Sequence, residues 1–364
     1  MATKNQHFVP QVYLKAWETT VFSIKEPTKP FNGVYKYSKY SLSLGDGCNK
    51  KNLLSSNHTY TIDEEQWFLL NGCSEIKREF LFKLKVILSK RGIAVYCNGI
   101  KLKKNTDFLS NLQNLETWQF CRDDGSQASQ KAIISEIRGI RCYCIEDKFS
   151  SFMEQKWERI LANMLSAFPA NGGKGQLEVK MSKQSIESML TMISLMMCRN
   201  PAFTLYGLFD WVDALLSETF NQWDDISEKE KCISIMRRGF WLSQIYKGLF
   251  QDPKGFVEVF TKSAMNGLGI IVFRVRDDNE GNFITSDNPV VHYDCILHTQ
   301  DKRGIYFPLT PRVLLFMGKN TSGCIENVIF RTVTNQDVRS INRIILNGAS
   351  EHIVSNYQRL GYIL

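Results

Sequence analysis

The spacing of apolar residues changes at Gly267, and this change constrains the fold more than any other feature of the sequence. Before it, apolar residues recur every three or four positions, which predicts helices. After it, short β-branched runs alternate with turn residues, which predicts strands. The predicted helices are Ser182–Cys198, Ala202–Phe220, Ser227–Phe250 and Pro253–Asn266. The predicted strands are Gly269–Val275, Asn282–Val291, Ile305–Pro308, Val313–Met317 and Glu326–Thr332, followed by a helix Asn335–Ser350 and a short strand Ile353–Val354. We therefore predict an α+β fold with a helical middle and a mostly antiparallel C-terminal sheet that helices cover.

The clearest single helix is Ile145–Phe168, because its apolar residues line one face over six turns. Glu154 lies at the edge of that face, where its carboxylate can face a cleft or water. The glycine-rich stretch 169–175 then interrupts the pattern, and we place a domain boundary there. We predict that residues 1–170 form a basic N-terminal α+β part, in which residues 64–140 are an added segment, or elaboration, of the basic fold. Residues 176–364 form the helical block and the β-rich part, packed on the first.

Smaller signals mark helix starts and turns. Ser182 and Ser227 are predicted N-caps, and Asn335 is predicted to cap the last helix. The dipeptide Asn98-Gly99 predicts a two-residue β-hairpin loop. The patterning of residues 105–140 is mixed and predicts no particular element.

The net charge of +8 is concentrated in one segment. Residues 76–105 contain nine Lys or Arg against one acid, whereas residues 207–230 contain seven acids against one Lys. Such a basic segment can contact nucleic acid or another anionic partner, dock on the acidic segment, or face solvent only. The candidate nucleic-acid-binding residues are Lys77, Arg78, Lys83, Lys85, Lys90 and Arg91.

Composition excludes several classes of protein. Apolar residues make up 43% of the chain, enough for a buried core, which excludes wholesale disorder. The ten cysteines are scattered without metal-ligand spacing, which is typical of a reducing cytosol. The N-terminus lacks an apolar signal core, and the longest apolar stretch, Met189–Cys198, is too short to span a bilayer. We therefore expect a soluble, cytoplasmic protein without membrane contact.

Five polar residues from distant segments are the candidate catalytic residues. His7 precedes a helix that Pro10 can start, and Arg199 follows the Met-rich helix. Asp287 and Asn288 lie in the stretch Phe283–Val291, which predicts a strand, a tight turn and another strand. Glu154 completes the set.

These residues also carry a resemblance to a known family. The motifs His7-x-Val-Pro-x-x-Tyr-Leu, Arg199-x-Pro201, Thr285-Ser-Asp-Asn-Pro289, Pro308-Leu-Thr-Pro311 and Val338-Arg-x-x-Asn342 occur in this order. The set resembles DUF4238, a large and mostly bacterial family of unknown function, over nearly the whole chain. The resemblance implies a list of positions and no activity.

Two explanations of the polar set compete. Arg199 can pair with Glu154 or Asp287 in a structural network, because buried charges are costly unless they are paired. Alternatively, Glu154, Asp287 and His7 can hold Mg²⁺ or Mn²⁺ and position water for phosphodiester hydrolysis, with Arg199 neutralising charge on the phosphate.

The leading hypothesis is a metal-dependent nuclease, a hydrolase that acts as a toxic effector in bacterial defence against phage. The alternative is a non-catalytic sensor or adaptor that binds nucleic acid or a partner protein. Chemistry on a small molecule is a third option, although Ser286 lacks the glycines of a nucleophile elbow.

Overall fold

The fold is α+β, as predicted, with a mostly antiparallel C-terminal sheet. The computed structural model describes residues 5–167, 176–201, 203, 208–221, 225–276, 281–293, 296–297, 300–301, 303–319, 324–361 and 363–364. The helices are α1 (Gln11–Leu14), α2 (Ser74–Ser89), α3 (Asn105–Ser110), α4 (Gln130–Arg138), α5 (Cys144–Lys148), α6 (Gln155–Ser166), α7 (Lys183–Arg199), α8 (Leu208–Thr219), α9 (Ile226–Leu249), α10 (Phe256–Gly267) and α11 (Asn335–Gly348). The strands are β1 (Asn5–His7), β2 (Thr19–Phe22), β3 (Pro30–Ser38), β4 (Ser41–Cys48), β5 (Ser55–Asn57), β6 (Ile93–Cys97), β7 (Ile100–Lys101), β8 (Trp118–Arg122), β9 (Gln176–Lys180), β10 (Leu268–Val275), β11 (Thr285–Ser286), β12 (Val291–Tyr293), β13 (Ile296–Leu297), β14 (Gln300–Asp301), β15 (Gly304–Thr310), β16 (Val313–Lys319), β17 (Asn327–Val333) and β18 (His352–Ser355).

The largest sheet has the strand order β12-β15-β16-β10-β17-β9. Every pair of adjacent strands in this sheet is antiparallel except β10 and β17, which run parallel. A second sheet has the order β11-β18-β3-β2, with β4 paired to β3. Because β3 lies near the N-terminus and β18 near the C-terminus, this second sheet joins the two ends of the chain.

The chain starts with residues that reach into the C-terminal part. The Trp17 indole N–H donates to the carbonyl of Phe283 at 3.1 Å, and the Tyr13 hydroxyl lies 2.7 Å from the hydroxyl of Thr285. Both aromatic side chains are completely buried. Residues from both sides of the proposed boundary at 169–175, such as Trp157 and Phe307, also belong to one hydrophobic cluster.

Residues 64–140 contain α2, α3, α4 and the sheet β7-β6-β8, and α2 and α4 contact each other and this sheet. Asn98 and Gly99 connect β6 to β7 with φ values of 52° and 76°, as expected for the loop that this dipeptide predicts. Helix α2 buries one stripe of Ile76, Phe80 and Leu84 and leaves its opposite face in solvent.

The long helix predicted over Ile145–Phe168 contains an irregularity. It consists of α5, a π-helical segment Phe149–Glu154, and α6, while Phe168 lies outside the described residues. In the π segment each backbone hydrogen bond spans one residue more than in an α-helix. Such segments occur frequently at functional sites. Nothing in the apolar spacing indicates it.

Several local predictions need correction. The strand predicted over Asn282–Val291 contains only β11 and the start of β12, because the turn takes up most of it. Ser182 caps α7 as predicted. The caps of α9 and α11 are instead Asp225 and Thr334, whose side chains accept first-turn N–H groups.

Two further findings concern membranes and cysteines. In the part of the chain that the structure describes, no helix combines the length and the apolar character that crossing a membrane requires. The described cysteines are all free thiols, and Cys295 lies outside the described residues.

Candidate active site at Arg199

Arg199, the last residue of α7, is the centre of the polar cluster. Its side chain has no exposed surface, although it carries a charge. The guanidinium Nε donates to the carbonyl oxygen of His7 at 2.7 Å, and Nη1 donates to Oε1 of Glu154 at 3.1 Å. The ring centroids of Phe149 and Tyr60 lie 4.3 and 5.7 Å from its central carbon. The charge is therefore stabilised by one carboxylate, one carbonyl and two aromatic faces.

The position of Arg199 follows from the sequence of α7. Met189, Met192 and Met196 bury this helix on several sides, so its C-terminal end lies deep in the protein. Pro201 disfavours helical geometry at Asn200, which is extended with ψ of 127°. The helix therefore ends at Arg199, where a cation is favoured by the helix dipole.

Glu154 is the link between this buried cation and solvent. It is the last residue of the π segment, and a quarter of its side chain remains exposed. One oxygen accepts from Arg199, so the carboxylate is held in a fixed orientation while its edge stays accessible.

His7 contributes mainly through its backbone. Its carbonyl accepts from Arg199, and its ring Nε2 lies 3.0 Å from the carbonyl oxygen of Lys51. The side-chain amide of Gln11 lies 3.4 Å from ring Nδ1. Burial lowers the pKa of His7 below its usual 6.5, and the charge of Arg199 lowers it further. The ring is therefore a neutral imidazole near pH 7.

Glu146 on α5 belongs to the same cluster, although we did not predict it from the sequence. Burial raises its pKa from 4.5 to about 7, the negative charge of Glu154 adds to this, and Arg199 opposes it. Its Oε2 atom is buried without a hydrogen-bond partner in the described part of the chain, and the same holds for Nη2 of Arg199. Buried polar atoms without partners are rare in proteins and are candidates for a functional role.

A signal for Glu146 exists in the sequence. Glu146, Phe149 and Met153 are spaced three and four apart, so they lie on one helical face. Phe149 and Met153 are buried. A single acid in an apolar stripe is expected to have either a buried partner or a raised pKa.

Asp287 and Asn288 connect to Arg199 through its neighbour Asn200. The Asn200 amide donates to the backbone carbonyl of Asp287 at 2.7 Å and lies 3.4 Å from Oδ1 of Asn288. The Asn288 amide donates in turn to the carbonyl of Gly348 at 3.0 Å. Hydrogen bonds thus join His7 and Glu154 to Arg199, whereas Asp287 and Asn288 are joined to it only through its covalent neighbour Asn200.

The carboxylate of Asp287 faces away from Arg199. Its oxygens accept the backbone N–H groups of Ser350, Glu351 and His352 at 2.8, 2.7 and 2.9 Å. The side chain is 5% exposed, so these N–H groups occupy the positions that a substrate or a metal ion would take. Asp287 therefore fixes the turn that carries Asn288 against the start of β18.

The described residues do not fit a metal centre at Glu154 and Asp287. Arg199 engages the first carboxylate, and three backbone N–H groups engage the second. Within the described ranges, no group of three or more His, Cys, Asp or Glu side chains is arranged to hold a metal ion.

The basic residues of α2 and the turn after it differ in their availability. Lys83 pairs with Glu79 at 2.6 Å, and Arg91 pairs with Glu136. Within the described chain, no ion pair engages the other four, which are Lys77, Arg78, Lys85 and Lys90, and the last three of these are exposed.

The structure thus defines an α+β protein in which the buried guanidinium of Arg199 joins strand β1 to the π segment that carries Glu154. Residues 5–359 match the model of a family described as "Protein of unknown function (DUF4238)", and the chain belongs to this family. No curated protein matches the sequence. No solved structure matches it either.

Proposed function

We propose that the protein cleaves RNA by acid–base catalysis at Glu146 and Glu154, with Arg199 as a positioning residue. The observation that carries this proposal is the arrangement around the guanidinium. Arg199 holds Glu154 at the edge of the core, and among the residues that the structure describes, Nη2 of Arg199 and Oε2 of Glu146 have no hydrogen-bond partner. Two carboxyl groups in unequal environments are the arrangement that separates a general acid from a general base.

The proposed cleavage of RNA needs one general base and one general acid. The Glu154 carboxylate would remove the proton of a ribose 2′-hydroxyl, whose oxygen then attacks the adjacent phosphorus. The bond from phosphorus to the 5′-oxygen breaks, and the protonated Glu146 would supply a proton to that oxygen. The products are a 2′,3′-cyclic phosphate and a 5′-hydroxyl. Because the pKa of Glu146 is about 7, about half of it carries this proton at neutral pH.

RNA suits this centre better than DNA. RNA supplies its own nucleophile in the 2′-hydroxyl, whereas hydrolysis of DNA needs an activated water, which nucleases commonly obtain from bound metal ions. The described residues form no metal-ligand group, so the proposed steps involve none. The excess of positive charge on the chain supports a polyanionic substrate.

An RNA cleavage assay tests the proposal. An end-labelled single-stranded RNA is incubated with the protein in EDTA, and the products are examined for the cyclic phosphate. Glu146→Gln and Glu154→Gln are expected to lower the rate about 100-fold or more. Glu158→Gln is the matched control, since Glu158 lies exposed on the same helix in a surface pair with Lys15.

Two outcomes would contradict the proposal. One is cleavage at the wild-type rate by both folded active-site variants. The other is cleavage that EDTA abolishes and Mg²⁺ or Mn²⁺ restores, because that would favour the metal-dependent nuclease predicted from the sequence.

A role as a toxic effector in defence against phage stays a prediction that follows from this activity. Expression in a bacterial host is expected to slow growth with the wild-type protein and not with Glu154→Gln at an equal folded amount. Equal growth defects would indicate that toxicity does not depend on catalysis at this centre.

A second candidate function is a non-catalytic sensor or adaptor that binds nucleic acid or a partner protein. The complete burial of Arg199 and the full engagement of the Asp287 carboxylate favour it, because both are typical of a structural network. This function predicts salt-sensitive binding without any turnover of RNA.

A further inference from the structure

A cleft of about 560 Å³ lies between α2 and the helix that carries Glu146. Its walls include Arg78 and Phe82 from α2 and Lys148 from α5, and Phe250 lines it after the end of α9. Cys144, Asp147, Lys148 and Ser151 line the cleft at the helical spacing of one face. Glu146 is absent from that face, so the cleft is separate from the Arg199 centre.

Two of the acids in the cleft are already engaged by the protein. Glu79 accepts the backbone N–H groups of Tyr143 and Cys144 and pairs with Lys83. Glu75 accepts from the hydroxyls of Tyr246 and Ser74. These internal partners reduce the repulsion that both acids exert on an anion.

The cations of the cleft are available by contrast. Arg78 is exposed and forms no ion pair within the described residues. Lys148 lies over the rings of Phe152 and Phe250, at 5.6 and 5.2 Å from their centroids, and carries no ion pair in the described chain. Asp147 is the exposed acid that opposes them.

Phe82 is the most unusual residue of this surface, because 67% of it is exposed. It lies four residues after Arg78 and three before Lys85, so the three side chains follow one another on the exposed face of α2. Single exposed apolar residues are common on protein surfaces, but a ring between cations is the arrangement that stacks nucleobases beside their phosphates.

We propose that this cleft binds single-stranded nucleic acid, with a base stacked on Phe82 and neighbouring phosphates held by Arg78, Lys85 and Lys148. A single strand is the expected ligand because its unpaired bases can leave their neighbours and expose their faces. In a duplex those faces are covered. The inference deepens the proposed function, since it assigns the surface that holds the substrate strand, but the binding it describes needs no catalysis.

The test uses a fluorescently labelled single-stranded DNA of about 12 nucleotides, which lacks the 2′-hydroxyl and so resists the proposed cleavage. Binding to the full-length protein is measured by anisotropy at several salt concentrations. Phe82→Ala is expected to weaken binding about tenfold or more. Arg78→Ala is expected to weaken it and to lower the slope of log affinity against log salt by about 0.7.

Matched controls distinguish binding at this cleft from non-specific attraction of the strand to positive charge. Tyr40→Ala removes an aromatic residue that is 84% exposed elsewhere, and Lys131→Ala removes an exposed cation on α4. Both are expected to leave affinity unchanged. Asp147→Asn is expected to strengthen binding about twofold, because it removes the opposing charge. A duplex of the same sequence is expected to compete poorly.

The inference is overturned if the wild-type protein binds no single strand, or if Phe82→Ala and Arg78→Ala bind as the wild type does. Failure of the proposed function has a different signature. In that case the strand binds with dependence on Phe82, but RNA is not cleaved by any variant.

Discussion

Arg199 and Glu154 form an ion pair of 3.1 Å in which the cation is completely buried and the carboxylate is a quarter exposed. The pair crosses from the end of α7 to the π segment before α6. Because Arg199 also binds the carbonyl of His7, it ties the first strand of the protein to two helices. This position makes the guanidinium both a structural element and the support of a surface carboxylate.

Arg199→Lys is expected to destabilise the protein by about 3 kcal/mol, because an ammonium cannot bind Glu154 and the His7 carbonyl in the same geometry. Arg91→Lys alters an exposed pair with Glu136 and is expected to cost less than about 1 kcal/mol. Urea unfolding of both variants measures the difference. Equal small losses in the free energy of unfolding would contradict a larger contribution of the buried pair to stability.

Glu146→Gln is expected to change how stability depends on pH. The folded-state pKa is raised, so the unfolded chain binds fewer protons between pH 4.5 and about 7. The contribution of Glu146 is therefore present below pH 4.5 and is lost as the pH rises through about 7. The variant should gain about 1 to 3 kcal/mol relative to wild type between pH 5 and pH 8. Parallel stability curves over this range would contradict a buried, raised-pKa Glu146.

Asp287→Asn is expected to destabilise the protein by about 2 kcal/mol, because one side-chain oxygen is replaced by an NH₂ group that cannot accept hydrogen bonds. Hydrogen exchange should accelerate at the amides of Ser350, Glu351 and His352. Asp124→Asn is the control, since Asp124 accepts a backbone N–H in an exposed turn. Unchanged exchange at residues 350–352 would mean that Asp287 does not fix this segment.

Tyr13→Phe tests whether the N-terminal and C-terminal parts unfold together. The Tyr13 hydroxyl contacts Thr285 and the carbonyl of Pro308, both at 2.7 Å, and its removal leaves buried polar groups unpaired. We expect a loss of about 1 to 3 kcal/mol in one transition. Circular dichroism and tryptophan fluorescence should give coincident curves. Two separate transitions would instead favour independently folding domains on either side of residues 169–175.

The elements with a strong periodic pattern could be predicted from the sequence. Helix α7 was predicted over Ser182–Cys198 and forms Lys183–Arg199, because its Met stripe and its following proline both specify it. Strands β10, β16 and β17 lie within one or two residues of their predictions for the same reason. In these segments the spacing of apolar residues along the chain is sufficient to predict the helix or strand.

The functional geometry could not be predicted, because it depends on partners far away in the chain. Asp287 was expected to face a site, but the N–H groups that it binds lie more than 60 residues later. Glu146 has an ordinary position on a helix, and its pKa is raised by burial and by the charge of Glu154, against the opposing charge of Arg199. The polar set was interpreted as one group because its residue types have little use in an apolar core. In the structure Arg199 contacts His7 and Glu154, whereas the Asp287 carboxylate is engaged by other backbone groups.

The most direct test of the Arg199 centre is an NMR titration of the Glu146 carboxyl carbon, assigned with Glu146→Gln. We expect the resonance to titrate near pH 7 in the wild type and at lower pH in Glu154→Gln, because the charge of Glu154 raises the pKa of Glu146. A midpoint near the ordinary value of 4.5 that does not respond to Glu154→Gln would contradict the coupling of these carboxyl groups at Arg199.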